Sequence, residues 1–376
     1  MNHTIYLDNN ATTVVDERII NDPYVLNILK KPLNPSSFHE YGREAKNILL
    51  KAKRTIGSYL SVSPDNIIFT SGATEGLNLC IQGALCCSGH IITTSIEHAC
   101  VYNTLIEMQK KGCRLSYVEV SDFGAPLAED IEKLIQPDTK LIVISAVNSE
   151  TGVKVDIDRV AQIAKKHSIP LVVDGVALLG KEVFQIPEGV SAMCFSGHKI
   201  HTPGGIGFIY HHRSFHISPL IYGGGQENNL RSGTQNLFGI ACLEKAIILL
   251  QEELPLASEK MRSLRDHFEA SLKSKLDIEI NGKGLRVVNT SNISFLGIDA
   301  ETLLIYLDRH HVSASHGSAC DSGGVEPSRI LINMGLAKER VKSALRFSLC
   351  RMTTKKEIDK AVKIIIDIVQ KIKSIK

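Results

Sequence analysis

From about residue 66 to residue 210 the chain alternates short, largely apolar runs with amphipathic ones, and this alternation limits the fold more than any other feature. Asn66–Thr70, His90–Thr94, Arg114–Val120, Leu141–Val147, Pro170–Asp174, Ala192–Ser196 and Ile206–Tyr210 have the length and residue types of strands. Leu77–Ala84, Val101–Lys111, Leu127–Ile135 and Val155–Lys166 lie between them with helical character. A strand that is apolar along its length must be covered on both faces, and alternation with helices supplies the cover. The pattern predicts an α/β fold: a mostly parallel central sheet with helices on both faces. In such sheets the ligand lies beyond the carboxyl ends of the strands. The polar residues that follow each strand are therefore the first candidates for function.

After a helix over Leu237–Glu253 and Pro255 the character changes. A helix over Glu259–Leu272, strands at Ile278–Ile280 and Thr290–Phe295, a helix over Ala300–His310, a polar loop at Ser313–Pro327 and a terminal helix from Lys355 read as a smaller α+β domain. A chain of 376 residues exceeds the roughly 250–300 at which one core stops growing. The expected division is a large domain over 14–254 and a small one formed by 1–13 with 255–376.

Bulk composition excludes several classes. The net charge of +3 gives no global basic field for nucleic acid, and Lys371–Lys376 reads as the solvated face of a terminal helix. No apolar run approaches the roughly 18 residues of a membrane helix. The opening Met-Asn-His-Thr-Ile-Tyr-Leu-Asp lacks the features of a signal peptide. The nine cysteines form no CxxC pair, so no metal site is expected, and their odd number points to reduced thiols in the cytoplasm.

Several strand ends carry reactive types. Lys199, in Ser196-Gly-His-Lys199, follows an apolar strand, and a desolvated lysine there is a nucleophile for an aldehyde. Asp174 ends a strand and can pair with a protonated pyridine nitrogen. Ser71-Gly-Ala-Thr74-Glu-Gly joins a strand to a helix, where backbone N–H groups and the Thr74 hydroxyl can reach a phosphate. His98 can stack on a flat ring and exchange protons. Cys320 sits in the small, polar Ser315-His-Gly-Ser-Ala-Cys320-Asp, a setting for an exposed thiol. Arg231 and Arg351 are candidate anion binders. Taken singly, each also has an ordinary structural explanation.

Their order is more specific. Tyr6-Leu-Asp-Asn-Asn-Ala-Thr-Thr13, Asn34-Pro-Ser-Ser37, Ser71-Gly-Ala-Thr-Glu75, Glu97-His98, Val147-Asn-Ser-Glu-Thr-Gly152, Asp174-Gly-Val, Ser196-Gly-His-Lys199, Gly223-Gly-Gly, Arg231-Ser-Gly-Thr234, Gly317-Ser-Ala-Cys320, Glu326-Pro-Ser and Arg346-Phe-Ser-Leu closely resemble the cysteine desulfurases of the NifS/IscS type, from about Tyr6 to Ile365. The resemblance implies a class V aminotransferase-like, fold type I enzyme that uses pyridoxal 5'-phosphate, a homodimer with the site at the subunit interface. It implies a Schiff base on Lys199, Asp174 on the pyridinium nitrogen, and His98 stacked on the ring and shuttling protons. Ala73, Thr74, Ser196 and His198 would hold the phosphate, with Thr234 entering from the partner subunit. Asn148 would lie near the ring hydroxyl and the substrate carboxylate, and Arg351 would bind that carboxylate. Cys320 would take sulfur from L-cysteine as a persulfide, release alanine and pass the sulfur to an acceptor such as an iron–sulfur scaffold, serving as at most a transient cluster ligand.

The chain departs from that pattern. Ala177 stands where the family carries Gln, Gln226 where it carries His, Asn228-Asn229 where it carries Arg-Gly, Cys350 where it carries Gly, and Asp321 where it carries Thr. A selenocysteine lyase-like enzyme and a weakly active or inactive scaffold therefore remain as alternative readings.

Overall fold

The computed structural model describes residues 4–85, 88–317 and 327–375. A short strand β1 (Ile5–Tyr6) comes first, followed by seven strands of one sheet: β2 (Ile67–Thr70), β3 (Gly89–Thr94), β4 (Cys113–Val118), β5 (Thr139–Ser145), β6 (Leu171–Asp174), β7 (Ala192–Ser196) and β8 (Gly207–His211). Their order across the sheet is β2-β8-β7-β6-β5-β3-β4. Only β8 runs against its neighbours, pairing antiparallel with both β2 and β7. The mostly parallel sheet read from the sequence is thus present, with one reversed strand that apolar patterning could not reveal.

The two faces follow from side-chain alternation along each strand. Leu141, Val143, Val172 and Cys194 pack with the helices Ala73–Ala84 and Ala99–Lys110. Ile142, Ile144, Leu171, Val173, Met193 and Phe195 pack with Glu40–Leu60, Ile157–Lys166 and the start of Leu237–Lys273. One step further along the same parity, Ser145, Asp174 and Ser196 fall on the face of the first two helices, at the carboxyl edge.

A three-stranded antiparallel sheet is built from β9 (Ile278–Ile280), β10 (Thr290–Phe295) and, later in the chain, β12 (Ala344–Ser348), in the order β12-β10-β9. Between them in sequence, β11 (Val312–Ser313) pairs in parallel with β1. This second core holds Leu7, Phe268, Phe295, Phe347 and the inner faces of the helices Ala300–Arg309 and Lys355–Ile375. Among the described residues no helix is long and apolar enough to cross a membrane.

One expectation is corrected. The break anticipated at Pro255 is absent: a single helix of 37 residues runs from Leu237 to Lys273 with Pro255 inside. Proline in a helix interior loses a hydrogen bond and costs about 3 kcal/mol. Buried Leu250, Leu254, Ala257 and Met261 continue one apolar stripe straight through it. Burial at roughly 1.5–3 kcal/mol per large side chain outweighs that cost. The helix begins on the first core and ends, at Leu264, Phe268 and Leu272, in the second.

Candidate active site

A cavity opens at the carboxyl edge of β5, β6 and β7, between the starts of two helices. Its wall includes Ala73, Thr74, His98, Asp174, Ser196, His198 and Lys199, all named from the sequence. Ser145 and Asp174 are register partners on adjacent parallel strands. Along the chain that leaves β5, Ser145, Val147 and Ser149 line the cavity. Asn148 turns away, as alternation requires.

One end of the cavity is built for an anion. The helix Ala73–Ala84 starts at Gly72, which gives it no side-chain cap, and the Ala73 N–H donates to Ser196 Oγ at 2.8 Å. A Cβ on Gly207 would lie 2.6 Å from Gly72 Cα, so only glycine lets β8 carry this turn at such close range. Exposed N–H groups at a helix start favour phosphate. His198, beside them, is pushed down to about 4 by burial and by the nearby Lys199, so its imidazole is neutral near pH 7; its Nδ1 lies 3.1 Å from Thr12 Oγ1.

The Lys199 amine ends a short turn over Gly197–Lys199 and donates to the carbonyls of Asn10 and, at 2.6 Å, Ala11. Asp174 is buried, and burial raises its carboxyl above the usual range against the opposing pull of His98, the Val176 N–H and Lys199. The Cys100 N–H donates to His98 Nδ1 at 3.2 Å, and the Cys100 thiol lies 3.0 Å from the same nitrogen. The ring proton of a neutral His98 therefore sits on Nε2. His98, Cys100 and Asp174 bring a nitrogen, a sulfur and an oxygen within 4.8 Å of one another, a grouping able to take a metal that the cysteine spacing did not disclose.

Three expected residues lie elsewhere. Asn148 does not line the cavity: its Oδ1 accepts from Glu150 N, Thr151 N and Thr151 Oγ1, and its Nδ2 donates to Ile96 O. Arg351 is also absent from the wall. Its buried guanidinium pairs with Asp16 and, at 2.5 Å, with Glu253. Although burial pushes Asp16 up, hydrogen bonds from Arg18 and Arg351 hold its carboxyl well below the ordinary range. Thr234 is exposed and does not line the cavity of its own chain. Arg231, the other candidate anion binder, pairs with Glu75 at 2.8 Å. Cys320, together with Asp321 and Glu326, lies outside the described residues.

The arginine that does reach the cavity is Arg346 of β12, 2% exposed, which pairs with Asp8 at 2.8 Å and donates to Ser149 O. Its buried Nε has no partner among the described residues. Sequence reasoning passed over it because two arginines lie five residues apart and only strand pairing tells which one faces the site. Lys181 was also missed: it lines the cavity, donates to Lys199 O at 3.1 Å, and is lowered by burial to about 8. Asn9 and Asn10 complete the wall from the start of the chain.

A mostly parallel sheet whose carboxyl edge presents a lysine, a buried aspartate and a histidine beside an uncapped helix start defines a class. The chain belongs to the class V aminotransferase family, which it matches over residues 5–361. Within that family its relatives are cysteine desulfurases. It is 36% identical over 379 residues to a cysteine desulfurase of Trichormus azollae, covering 99% of this chain and 94% of that one. It is 35% identical to the cysteine desulfurase IscS of Dictyoglomus turgidum, covering 100% and 97%. Its fold matches that of a solved NifS-like protein with a TM-score of 0.91 at 34% identity, covering 98% of this chain and 100% of the other.

Proposed function

We propose that this protein is a pyridoxal 5'-phosphate-dependent cysteine desulfurase that converts L-cysteine to L-alanine and leaves the sulfur as a persulfide on Cys320. The observation that carries this reading is the convergence of Lys199, Asp174 and His98 on one cavity beside an uncapped helix start. The donor set suits the cofactor: an amine for its aldehyde, a buried carboxylate for its pyridine nitrogen, and backbone N–H groups with Thr74, Ser196 and His198 for its phosphate. When bound, the cofactor supplies a ring that accepts the electrons released as the substrate loses its α-proton.

The chain's own residues do the rest. The Lys199 amine is the attachment point and, once free, a base close to the substrate α-carbon. Asp174 keeps the pyridine nitrogen protonated. His98 holds and moves a proton at Nε2, because its Nδ1 is engaged by Cys100. Arg346, with its unpartnered Nε, binds the substrate carboxylate in the role the resemblance had given Arg351. The thiolate of Cys320 attacks the substrate sulfur; a new S–S bond forms and the C–S bond breaks. The electron pair left on the β-carbon takes up a proton to give alanine.

The persulfide then passes to an acceptor such as an iron–sulfur scaffold. The working form is a homodimer in which Thr234 of each chain completes the phosphate site of the other. The cytoplasm suits it, since Cys80, Cys100, Cys194, Cys242 and Cys350 are free thiols.

Purified protein supplied with the cofactor, cysteine and a thiol reductant should form alanine and sulfide in equal amounts, and Cys320→Ala should abolish both. Full sulfide release by Cys320→Ala would remove the persulfide role. One observation favours a second reading, a weakly active scaffold: Ala177 lines the cavity and offers no hydrogen bond. A chain that stays colourless with the cofactor and gives no borohydride-fixed adduct on Lys199 would select it.

A further inference from the structure

Lateral order along the sheet edge assigns a role that neither Asn148 nor Ala177 can take. Ser145, Asp174 and Ser196 end the adjacent strands β5, β6 and β7, all on one face. Neighbouring strands lie about 4.8 Å apart, so these three side chains are spaced across the width of one aromatic ring and its substituents. In pyridoxal phosphate the phosphate arm and the phenolic oxygen flank the aldehyde on opposite sides of the ring. The phosphate cradle, made by Ser196 and the start of the helix Ala73–Ala84, lies on the β7 side of Asp174. With the ring nitrogen on Asp174, the phenolic oxygen must face the β5 side, and Ser145 stands there.

Of the other residues on that side, Ser149 lies four positions beyond Ser145, where its carbonyl accepts from Arg346. Val147, Val176 and Ala177 are apolar, and Asn148 is turned away with its oxygen and amide engaged. Ser145 Oγ is held by Glu97, whose Oε2 accepts from it at 2.5 Å while Oε1 accepts from Thr94 Oγ1 at 2.5 Å. Glu97 is 2% exposed, and burial raises its carboxyl to about 7. A serine hydroxyl rotates about its C–O bond, so Ser145, anchored beside Glu97, can turn its one proton toward the cavity it lines. The other titratable groups near this wall are Asp174 on β6, His98 and Cys100 at the start of the helix Ala99–Lys110, Lys181 after β6 and Lys199 after β7; Arg329 donates to the Glu97 carbonyl at 2.5 Å.

We propose that Ser145 is the hydroxyl donor to the phenolic oxygen of the bound cofactor, with Glu97 as the positioning residue that orients it. This rests on the cofactor reading above. A donor there stabilises the deprotonated oxygen, so its loss makes the cofactor hold its proton more tightly.

The test is a pH titration of the visible absorption of the holoenzyme without substrate. Ser145→Ala should move the midpoint upward by roughly one pH unit and weaken cofactor retention on dialysis. Ser145→Thr, which keeps the hydroxyl, should hold the wild-type midpoint. Glu97→Gln, which keeps a hydrogen-bonding group beside Ser145, should not move it upward. Ala177→Gln placed on Ser145→Ala should bring the midpoint back down. A coloured Ser145→Ala enzyme with the wild-type midpoint overturns the role of Ser145 alone. A wild-type protein that takes up no colour overturns the cofactor reading and this proposal with it.

Discussion

The two walls of the cavity are built by different rules. The first is the carboxyl edge of the large sheet, where Ser145, Asp174 and Ser196 take their places from strand parity and register. The second is assembled across the fold from Asn9, Asn10 and Ala11 near the start of the chain and Arg346 near its end. On the first wall a residue's place is a local property, set by where its strand stops. On the second it depends on partners more than 300 residues away: Arg346 on Asp8, and Asn10 N–H on Ser348 Oγ. Chemistry resting on the first wall should tolerate change elsewhere. Chemistry resting on the second should be lost whenever the two ends come apart.

The largest break should come at the first wall. Lys199→Ala should lower kcat by at least about a thousandfold while the fold persists, because the proposed attachment point for the cofactor is lost. Mass spectrometry after borohydride reduction should show no adduct; a persisting adduct would move the attachment to Lys181.

The two arginines sharpen the comparison next. Arg351→Ala should lower stability by about 1–3 kcal/mol, because it removes one of the two arginines that hold the buried Asp16 carboxyl and leaves Arg18 in place, and should leave KM for cysteine nearly unchanged. Denaturant unfolding beside steady-state kinetics checks both halves.

Glu97 gives a stability signature with a definite sign. Its folded value, about 7, lies above the ordinary 4.5. Between those values the unfolded chain releases the proton and the folded one keeps it, so stability falls as pH rises through that window and levels off above about 7. The loss across the window should be on the order of 3 kcal/mol. Glu97→Gln should flatten the slope measured by urea unfolding at about pH 5 and about pH 7. An unchanged slope would show that Glu97 ionises normally.

The smallest effect belongs to Arg346→Lys, which keeps charge against Asp8 and loses the planar fork. KM for cysteine should rise roughly tenfold with little change in thermal midpoint. A rise in KM for Arg351→Ala and none for Arg346→Lys would return the carboxylate to Arg351.

What could be read in the sequence follows the same division. The sheet, its helices and the strand-end residues Lys199, Asp174, His98 and Ser196 were legible because apolar alternation marks where strands stop. The reversed direction of β8 was not, because an apolar strand reads the same both ways. Pro255 misled because its local cost is visible in sequence and the burial on either side is not. Arg346 and Arg351 were not told apart because no strand was read around them, and only the pairing of β12 with β10 and the contact with Asp8 show that Arg346 faces the cavity. Asn148 was expected at the cofactor from its motif, but one step of strand parity turns it into its own loop.

The pairing of β1 with β11, and of Asp8 with Ser348 and Arg346, has a consequence for synthesis. The carbonyls of Asn10 and Ala11 that receive the Lys199 amine are made almost first, yet they are anchored by residues made almost last. Contacts of such long sequence separation form late. On the ribosome the large sheet can collapse around Lys199 well before its resting place exists. A translation product that stops short of residue 348 would carry Lys199 without the anchors of the carbonyls that receive its amine.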